Sequence, residues 1–245
     1  MLADIFIVAW KEIKELPYLR RDKSRTNFFT LILFVGVFGI FLPLQTGKDW
    51  VTSPLNLLYW AWLPFMLVGT TMVDAFAGER ERHTLETLLA SRLSDRAILF
   101  GKILAGVIYG LAMTFMCILL GLATVNVAFG RGSLLFFPAG IGLGILAVVL
   151  LISTLASGLG VLVSLRAGSV RQAQQTFTIA YFVLFIPLML LPMLPATVMQ
   201  PVLQFLMHTD FTTIAIGAGL IVVLLDVALI LAAMARFKRA RLILD

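Results

Sequence analysis

Charged side chains are scarce in this sequence: Asp, Glu, Lys and Arg make up 13% of its 245 residues, whereas 60% of the residues are hydrophobic. A soluble globular protein carries about a quarter charged residues. Several apolar stretches reach the roughly 20 residues that a helix needs to cross a bilayer core of about 30 Å. The shortage of charge therefore excludes a soluble globular protein and predicts a polytopic membrane protein.

Cysteine and histidine are nearly absent. The single Cys117 can form no internal disulfide, and no Cys or His spacing typical of a metal site occurs. His83 and His208 fall on opposite sides of the membrane in the topology derived below, so they cannot serve one nucleophilic site. No Gly-x-x-x-x-Gly-Lys-Ser/Thr loop that binds nucleotide phosphates is present. These absences predict that the chain is not an enzyme and holds no metal or cofactor.

The apolar stretches predict six membrane-spanning helices. Helices are expected because lipid offers no partners for unpaired backbone groups, and the stretches lack the alternating polarity of barrel strands. We predict one transmembrane domain over residues 1–245, with an N-terminal segment (1–26), a six-span region (27–237) and a short tail (238–245). The predicted spans 1 to 6 cover residues 27–44, 55–75, 97–127, 133–165, 174–194 and 211–237.

Basic residues are distributed unevenly among the segments between these spans. Lys48 and Arg131 lie in the links after spans 1 and 3, and the other 17 of the 19 Lys and Arg residues lie in the alternate segments. Because segments rich in Lys and Arg stay in the cytoplasm, both termini are predicted to be cytoplasmic. The charges form no continuous basic surface, so the net charge of +6 predicts no nucleic-acid partner.

The N-terminal segment has the pattern of an interfacial helix. The pattern stops near Pro17, and the basic residues from Arg20 to Arg25 are expected to bind anionic lipid. We therefore predict a helix lying on the cytoplasmic leaflet; the alternative is a solvated arm. Apolar residues recur there at helical spacing: Leu2, Ile5, Phe6, Ala9, Ile13 and Leu16.

The densest group of charges lies between predicted spans 2 and 3, in residues 78–92. Thr84 is placed to cap a short helix with its hydroxyl, and Glu86 lies on a charged flank of that helix. Ser94 and Asp95 are typical of the start of the next helix. The alternative is an ordinary solvated connection. Three leucines share one face of the short helix: Leu85, Leu88 and Leu89.

Two features interrupt the later spans. Residues 185–208 are apolar but contain four prolines, which predicts a broken hairpin at the outer face, with a plain outer loop as the alternative. Asp226 lies in the middle of span 6 with no basic residue nearby in sequence. Because a carboxylate in a membrane span is costly, Asp226 is a candidate intramembrane functional residue; the alternatives are a protonated carboxyl group or a hydrogen bond to a neighbouring helix or a second subunit.

Two pairs of glycines are spaced for close helix approach. They are Gly106-x-x-x-Gly110 in span 3 and Gly140-x-x-x-Gly144 in span 4. Small residues at this spacing let two helix backbones come near each other. Such pairs are frequent in membrane helices, so they do not by themselves predict a dimer.

The segment from Glu79 to Leu89, followed by Ser94 and the Gly101-Lys102 pair, resembles the loop after span 2 in the permease subunits of type-2 ABC exporters. In that family a Glu-Arg-Glu run, a Thr-Leu-Glu-x-Leu-Leu helix and a Gly-Lys pair connect spans 2 and 3. The loop forms the coupling helix, which docks on the ATP-binding subunit. The resemblance implies ATPase-docking residues in this chain: Glu79, Arg80, Glu81, Arg82, Thr84, Leu85, Glu86, Leu88 and Leu89.

The resemblance extends over the whole chain in outline, because the family also has an amphipathic N-terminal helix, six spans and a broken hairpin before span 6. Two positions depart from the family's pattern. His83 stands where a glycine is usual before Thr84, and Arg92 stands where a proline is common. The resemblance implies a multi-pass subunit of the prokaryotic plasma (inner) membrane.

The resemblance also implies partners. A second permease chain, identical or a sister, would complete the path, and two ATP-binding-cassette subunits would bind ATP and Mg²⁺, so that this chain needs no cofactor. The alternative function is a membrane anchor or assembly subunit that recruits an ATPase without translocating substrate. An ion channel or secondary carrier is disfavoured, because the spans contain few polar residues.

Overall fold

The computed structural model of the chain describes residues 1–15, 25–190 and 210–237, together with Pro195, Thr197 and Gln200. All regular elements in these ranges are helical, as the all-α prediction requires. In chain order they are α1 (Leu2–Glu15), α2 (Arg25–Gly36), a π-helical turn (Val37–Phe41), α3 (Leu42–Thr46), α4 (Asp49–Thr52), a 3-10 turn (Pro54–Asn56), α5 (Leu57–Met72), α6 (Asp74–Glu81), α7 (Leu85–Leu89), α8 (Asp95–Phe129), α9 (Ala139–Arg166), α10 (Val170–Leu190) and α11 (Phe211–Arg236).

Four helical stretches among the described residues are long and apolar enough to cross a membrane. They correspond to predicted spans 2, 3, 4 and 6, and they cover Leu57–Glu81, Asp95–Phe129, Ala139–Arg166 and Thr212–Arg236. Predicted span 1 coincides with α2, the π-helical turn and α3, where the apolar helix Ile32–Thr46 is shorter. Predicted span 5 coincides with α10, which does not meet the same criterion. The chain is therefore multi-pass, while the full six-span layout stays a prediction.

The centre of the fold is the packing of α8 against α5 and α9 through small residues. A Cβ added at Gly106 would lie 2.4 Å from the Ser157 Oγ, and one added at Gly110 would lie 2.4 Å from the Ser153 Oγ. These distances are shorter than van der Waals contact, so only glycine permits this approach. The predicted close contact at the first glycine pair is thus confirmed, and it lies within the chain. Gly140 of the second pair has nothing within 4 Å.

The helix of predicted span 1 packs on α8 at its π-helical turn. A Cβ at Gly39 would lie 2.7 Å from the Leu120 Cδ2. The Thr124 hydroxyl donates a 2.8 Å hydrogen bond to the Gly39 carbonyl. A π-helical turn replaces i→i+4 by i→i+5 hydrogen bonds. The Thr124 hydroxyl gives a carbonyl of this turn a donor from α8 and joins the two helices.

Aromatic side chains join α10 to α5. The Phe65 and Phe177 rings stack with their centroids 5.5 Å apart. Gly69 makes room for this pair, since a Cβ there would lie 1.9 Å from the Phe177 Cζ. The Trp62 Nε1 donates a hydrogen bond to the Tyr181 hydroxyl, so the indole nitrogen is satisfied inside the apolar cluster. α10 extends through Pro187 to Leu190, and most of the predicted hairpin beyond it lies outside the described residues.

Helix α1 lies against the beginning of α8. Val8 and Ala9 are buried, and a Cβ at Gly101 would lie 2.5 Å from the Val8 Cβ. The opposite side of α1 is apolar but exposed, with Leu2, Phe6 and Trp10 each more than 60% accessible. The predicted N-terminal helix is therefore present, and it has one apolar side packed on the chain and another that the chain leaves uncovered.

Candidate functional site

The charged segment between α5 and α8 is folded tightly against the helix bundle. α6 follows α5 with a break at Val73, where the Ser164 hydroxyl of α9 donates to the Val73 carbonyl at 2.7 Å. The same oxygen accepts hydrogen bonds from the amides of Phe76 and Ala77, at 2.9 and 2.8 Å. One buried serine thus satisfies the backbone groups that the break exposes.

A left-handed residue makes the turn between α6 and α7. His83 has a φ of 55°, and the Thr84 amide donates a 2.9 Å hydrogen bond to the Glu79 carbonyl across the turn. Glycine adopts this conformation without steric cost, and histidine is among the residues that occur there more often than most. The geometry explains why a glycine suits this position and how His83 can replace it.

The prediction that the Thr84 hydroxyl caps the short helix is wrong. Thr84 does precede α7, but its side chain makes no capping bond. The hydroxyl instead donates to the Glu79 carbonyl at 3.3 Å, because the tight turn brings that carbonyl close. By contrast, the predicted start of α8 is confirmed: the Ser94 Oγ accepts a 3.2 Å hydrogen bond from the Ala97 amide.

The leucines of α7 face the chain itself more than the sequence pattern indicates. Leu85 is only 5% exposed and belongs to a buried cluster that includes Phe76 and Ile98. Leu88 is partly buried against the same cluster, and the Leu89 side chain lies outside the described residues. Leu85 therefore cannot present its side chain to a partner in this conformation, whereas Glu86 and Thr87 are exposed.

A buried lysine connects the charged segment to α1. Lys102 is 1% exposed, and its ammonium lies 2.8 Å from the Glu12 Oε1 and 3.0 Å from the Glu79 Oε1. It also donates to the Ala75 carbonyl at 2.8 Å. Lys11 lies 3.6 Å from the same Glu79 oxygen. A buried ammonium requires such partners, and here they come from two helices, α1 and α6, so that Lys102 of α8 joins three helices.

Two further charged residues connect the segment to the link between α9 and α10. The Arg80 Nη1 donates to the Ala167 carbonyl. The Glu81 Oε1 accepts a 2.8 Å hydrogen bond from the amide of Val170, the first residue of α10. A carboxylate at a helix N-terminus satisfies a free amide and interacts favourably with the helix dipole. Glu81 thus caps α10 from a different helix.

Arg82 is held by its own helix. Its guanidinium pairs with Asp74, and its Nε donates to the Gly78 carbonyl at 3.0 Å. Partial burial lowers the pKa of Arg82, but the hydrogen bond and the charge of Asp74 outweigh that effect, and the pKa is raised overall. Arg82 therefore stays positively charged at the exposed end of α6.

Sequence reasoning placed these charges in one segment but missed their pairing. Lys102 and Glu12 are 90 residues apart, and Glu81 and Val170 are 89 apart, so spacing along the chain carries no signal for either contact. The only clue to the first pair is that Lys102 follows an apolar stretch at the beginning of a predicted span. Glu79 and Arg80 are both engaged by the chain itself, and their predicted docking role stays a prediction.

Asp226 lies far along the sequence from this site, on the side of α11 that packs against α9. It is 6% exposed, and its Oδ1 has no hydrogen-bond partner among the described residues. Val222 and Leu229 on the same side pack into the apolar core. The described residues therefore leave this carboxylate oxygen without a donor, and a functional role for Asp226 stays a prediction.

The model of the family described as ABC-2 family transporter protein matches residues 50–235, which include the charged segment and every helix from α5 through most of α11. The chain belongs to the ABC-2 transporter family. No curated protein shows a significant match to the chain.

Membership of the ABC-2 family determines several properties of this chain. It is a multi-pass membrane permease, a transport component that is not itself catalytic. The family also implies that the permease works with an ATP-binding subunit. The resemblance seen in the segment from Glu79 to Leu89 thus identified the family correctly.

Proposed function

We propose that this ABC-2 permease forms the membrane path of an ATP-driven exporter. Two separate ATP-binding-cassette subunits would supply ATP and Mg²⁺ binding, and a second permease chain, identical or a sister, would complete the path. Both termini and the charged segment would face the cytoplasm of a prokaryotic cell, as the distribution of Lys and Arg favours. Family membership and the two-sided arrangement of α7 support this proposal.

The observation that carries the docking role is the contrast between the two sides of the charged segment. Its inner side is engaged through Glu79, Arg80 and Leu85. Its outer side leaves Arg82, His83, Glu86 and Thr87 exposed. We therefore assign contact with the ATPase to these four outer residues, and we assign to the inner residues the transmission of movement into the permease. Exposed charges at such an interface favour correct orientation of the partner.

The inner contacts define a route for that movement. Leu85 connects α7 to the apolar cluster around α8, Lys102 connects α6 and α8 to α1, and Glu81 connects α6 to α10. A displacement of the segment by closing ATP-binding subunits would therefore reach α1, α8 and α10 together. Packed cores respond to such displacements as units, because their side chains have few alternative arrangements.

The interior of the permease favours an apolar or amphipathic cargo. The described spans contain few charged residues, and an open groove of about 410 Å³ between α8 and α9 is lined almost entirely by apolar side chains. Thr114 supplies the single hydroxyl in its wall. A concave apolar surface of several hundred Å³ with few polar groups suits an apolar small molecule.

The docking assignment is tested with Glu86→Lys and a matched control, Asp210→Lys. Both acids are exposed, but Asp210 precedes α11 at the opposite end of the spans from the charged segment. We expect Glu86→Lys to lower the amount of copurified ATP-binding subunit by about tenfold, which corresponds to 1.4 kcal/mol. Asp210→Lys should leave it unchanged. Equal copurification for both variants would contradict the docking role. Leu85→Asp is unsuitable, because it would place a charge in the core.

An assay of ATP hydrolysis and cargo movement by the reconstituted complex distinguishes a transporter from a membrane anchor. If the chain forms the path, the correct cargo stimulates ATP hydrolysis by the complex and accumulates across the membrane. If the chain only recruits an ATPase, copurification persists but hydrolysis does not respond to any cargo that the permease binds.

A further inference from the structure

The link between α8 and α9 is held against the bundle in a fixed register. It follows the end of α8 at Phe129 and consists of a tight turn and an extended segment, residues 134–138. The Asn126 side-chain amide donates a 2.9 Å hydrogen bond to the Leu135 carbonyl, and the Asn126 Oδ1 accepts a 2.7 Å hydrogen bond from the Leu135 amide. Because these two bonds fix the backbone at Leu135, they also fix the direction of the neighbouring side chains.

Side chains of the extended segment alternate between the core and the surface. In an extended chain, successive side chains point to opposite sides. Leu135 and Phe137 pack against the apolar core, and the Phe137 ring lies 5.1 Å from the Trp50 ring. Leu134 and Phe136 point away from the core and are 80% and 65% exposed. The link therefore displays two large apolar side chains at one end of the spans.

This exposed pair continues the exposed apolar sides of the two helices that the link joins. On α8, large apolar residues are exposed at Phe115, Leu119 and Val127, the last of them in the final turn of the helix. On α9, Leu143 and Leu146 lie three residues apart, so they share one exposed face near the beginning of the helix. A continuous apolar surface of this kind marks contact with a membrane or with another protein.

The level of the link along α8 favours the membrane. Lys102 is the last charged residue of α8, and the helix is uncharged from there to its end. At 1.5 Å per residue and a usual tilt of about 20°, the helix from Lys102 to Val127 crosses roughly 35 Å of bilayer. The hydrocarbon core accounts for about 30 Å, and the headgroups on each side add about 5–7 Å. Val127 and the link beside it therefore lie at headgroup level, where apolar side chains still enter the membrane.

The turn before the extended segment is polar and suits the water side of the headgroups. Arg131 and Gly132 have positive φ angles of 40° and 88°, and Arg131 is exposed as the single charged residue of the link. A guanidinium beside exposed apolar side chains suits lipid phosphates. We propose that Leu134 and Phe136 insert into the lipid interface while Arg131 stays at its aqueous side. The link is then a membrane anchor at the opposite end of the spans from α1. This inference rests on membrane insertion and not on the proposed export function.

Spin labels measure the depth of the link. In a Cys117→Ala background, Leu134→Cys and Phe136→Cys are labelled singly, and the permease is reconstituted in vesicles of phosphatidylethanolamine and phosphatidylglycerol. Collision rates with oxygen, which enters lipid, and with a water-soluble nickel chelate give the depth of each label. Arg131→Cys is the aqueous control, and Leu146→Cys, on the exposed side of α9, is the control within the span. We expect the labels at 134 and 136 to lie within about 5–7 Å of the hydrocarbon boundary, which is the thickness of the headgroup region.

A charge introduced beside the label tests whether Leu134 itself enters lipid. With the label at position 136, Leu134→Glu should make the label shallower and raise its collision rate with the nickel chelate. Ser133→Glu, in the polar turn, should leave the depth unchanged. An unchanged depth in Leu134→Glu would overturn the insertion of Leu134.

The collision rates in the otherwise unmodified link decide what covers it. Labels at 134 and 136 that meet the nickel chelate as often as the label at 131 would show that the link lies in water, which overturns the proposal. Labels shielded from both oxygen and the chelate would show that protein covers the link, a second permease chain or another segment of this one, and would overturn the assignment to lipid.

Discussion

At the scale of single residues, the molecule places full charges in surroundings that ordinarily exclude them. The Lys102 ammonium is inaccessible to water and is neutralised by Glu12 and Glu79 at hydrogen-bonding distance. A paired charge of this kind contributes less to stability than its removal costs, because its partners are then left buried and unpaired. The role of Lys102 is therefore to hold α1 and α6 in one arrangement.

Replacing Lys102 by Met tests this role. The variant keeps the approximate volume but leaves the buried Glu79 and the partly buried Glu12 with only the exposed Lys11 nearby, so the free energy of unfolding should fall by about 3–5 kcal/mol. Chemical unfolding of the purified permease in detergent provides the measurement. Lys11→Met is the control, because its ammonium is exposed and its pairs should contribute less than about 1 kcal/mol. Equal losses for the two variants would contradict the structural role of Lys102.

Replacing Asp226 is expected to stabilise the permease, in contrast to replacing Lys102. Its Oδ1 is buried without a donor in the described chain, so Asp226→Leu should raise the free energy of unfolding of the isolated permease by about 1–3 kcal/mol. Val222→Ala on the same side of α11 should lower it, as the loss of apolar packing does. A gain in stability together with a loss of transport would identify Asp226 as a functional residue. A loss of stability would mean that the carboxyl group is satisfied within the chain.

At the scale of helices, the sequence predicted which segments are helical, but it did not predict which residues the helices bring into contact. Apolar length alone located the helices of spans 2, 3, 4 and 6, because a membrane span must be long, apolar and helical. The same pattern could not show the π-helical turn at Val37–Phe41, which accepts a hydrogen bond from the Thr124 hydroxyl and lies close to Leu120 of α8. Nor could it show that α7 turns Leu85 inward, because a three-leucine face suits a core and a partner equally.

Close packing between α8 and α9 gives a test at this scale. Gly106→Leu would force its side chain into Ser157 and Met72, and overpacking of this kind costs about 1–3 kcal/mol. The melting temperature of the purified permease should therefore fall. Gly140→Leu introduces the same side chain where nothing lies within 4 Å, and it should have little effect. A comparable fall in both variants would show that helix propensity, and not the contact, is responsible.

The contact of Glu81 with the beginning of α10 gives a further prediction. Glu81→Ala removes the cap on α10, which is worth about 0.3–1 kcal/mol, so cargo-stimulated ATP hydrolysis should fall roughly two- to fivefold. Copurification of the ATP-binding subunit should not change, because Glu81 is assigned to transmission and not to docking. Glu81→Gln retains a side-chain acceptor and should restore part of the activity. Loss of copurification in Glu81→Ala would instead place Glu81 in the docking surface.

At the scale of the whole molecule, the account depends on which side of the membrane the charged segment faces. Family membership establishes a multi-pass permease that works with an ATP-binding subunit. The distribution of Lys and Arg predicts the orientation, and the engaged inner side of the segment predicts how movement enters the bundle. Neither prediction holds unless the exposed residues of α7 are reached from the cell interior.

Site-specific labelling measures directly which side of the membrane the charged segment faces. Cys117 is the only cysteine and is buried, so Cys117→Ala supplies a background into which Thr87→Cys, on the exposed side of α7, is introduced. A membrane-impermeant maleimide should label this cysteine in inside-out vesicles but not in intact cells, and a bound ATP-binding subunit should protect it. Arg131→Cys, in the link between α8 and α9, should show the reverse pattern. Labelling of Thr87→Cys in intact cells would contradict both the orientation and the docking of an ATPase at this segment.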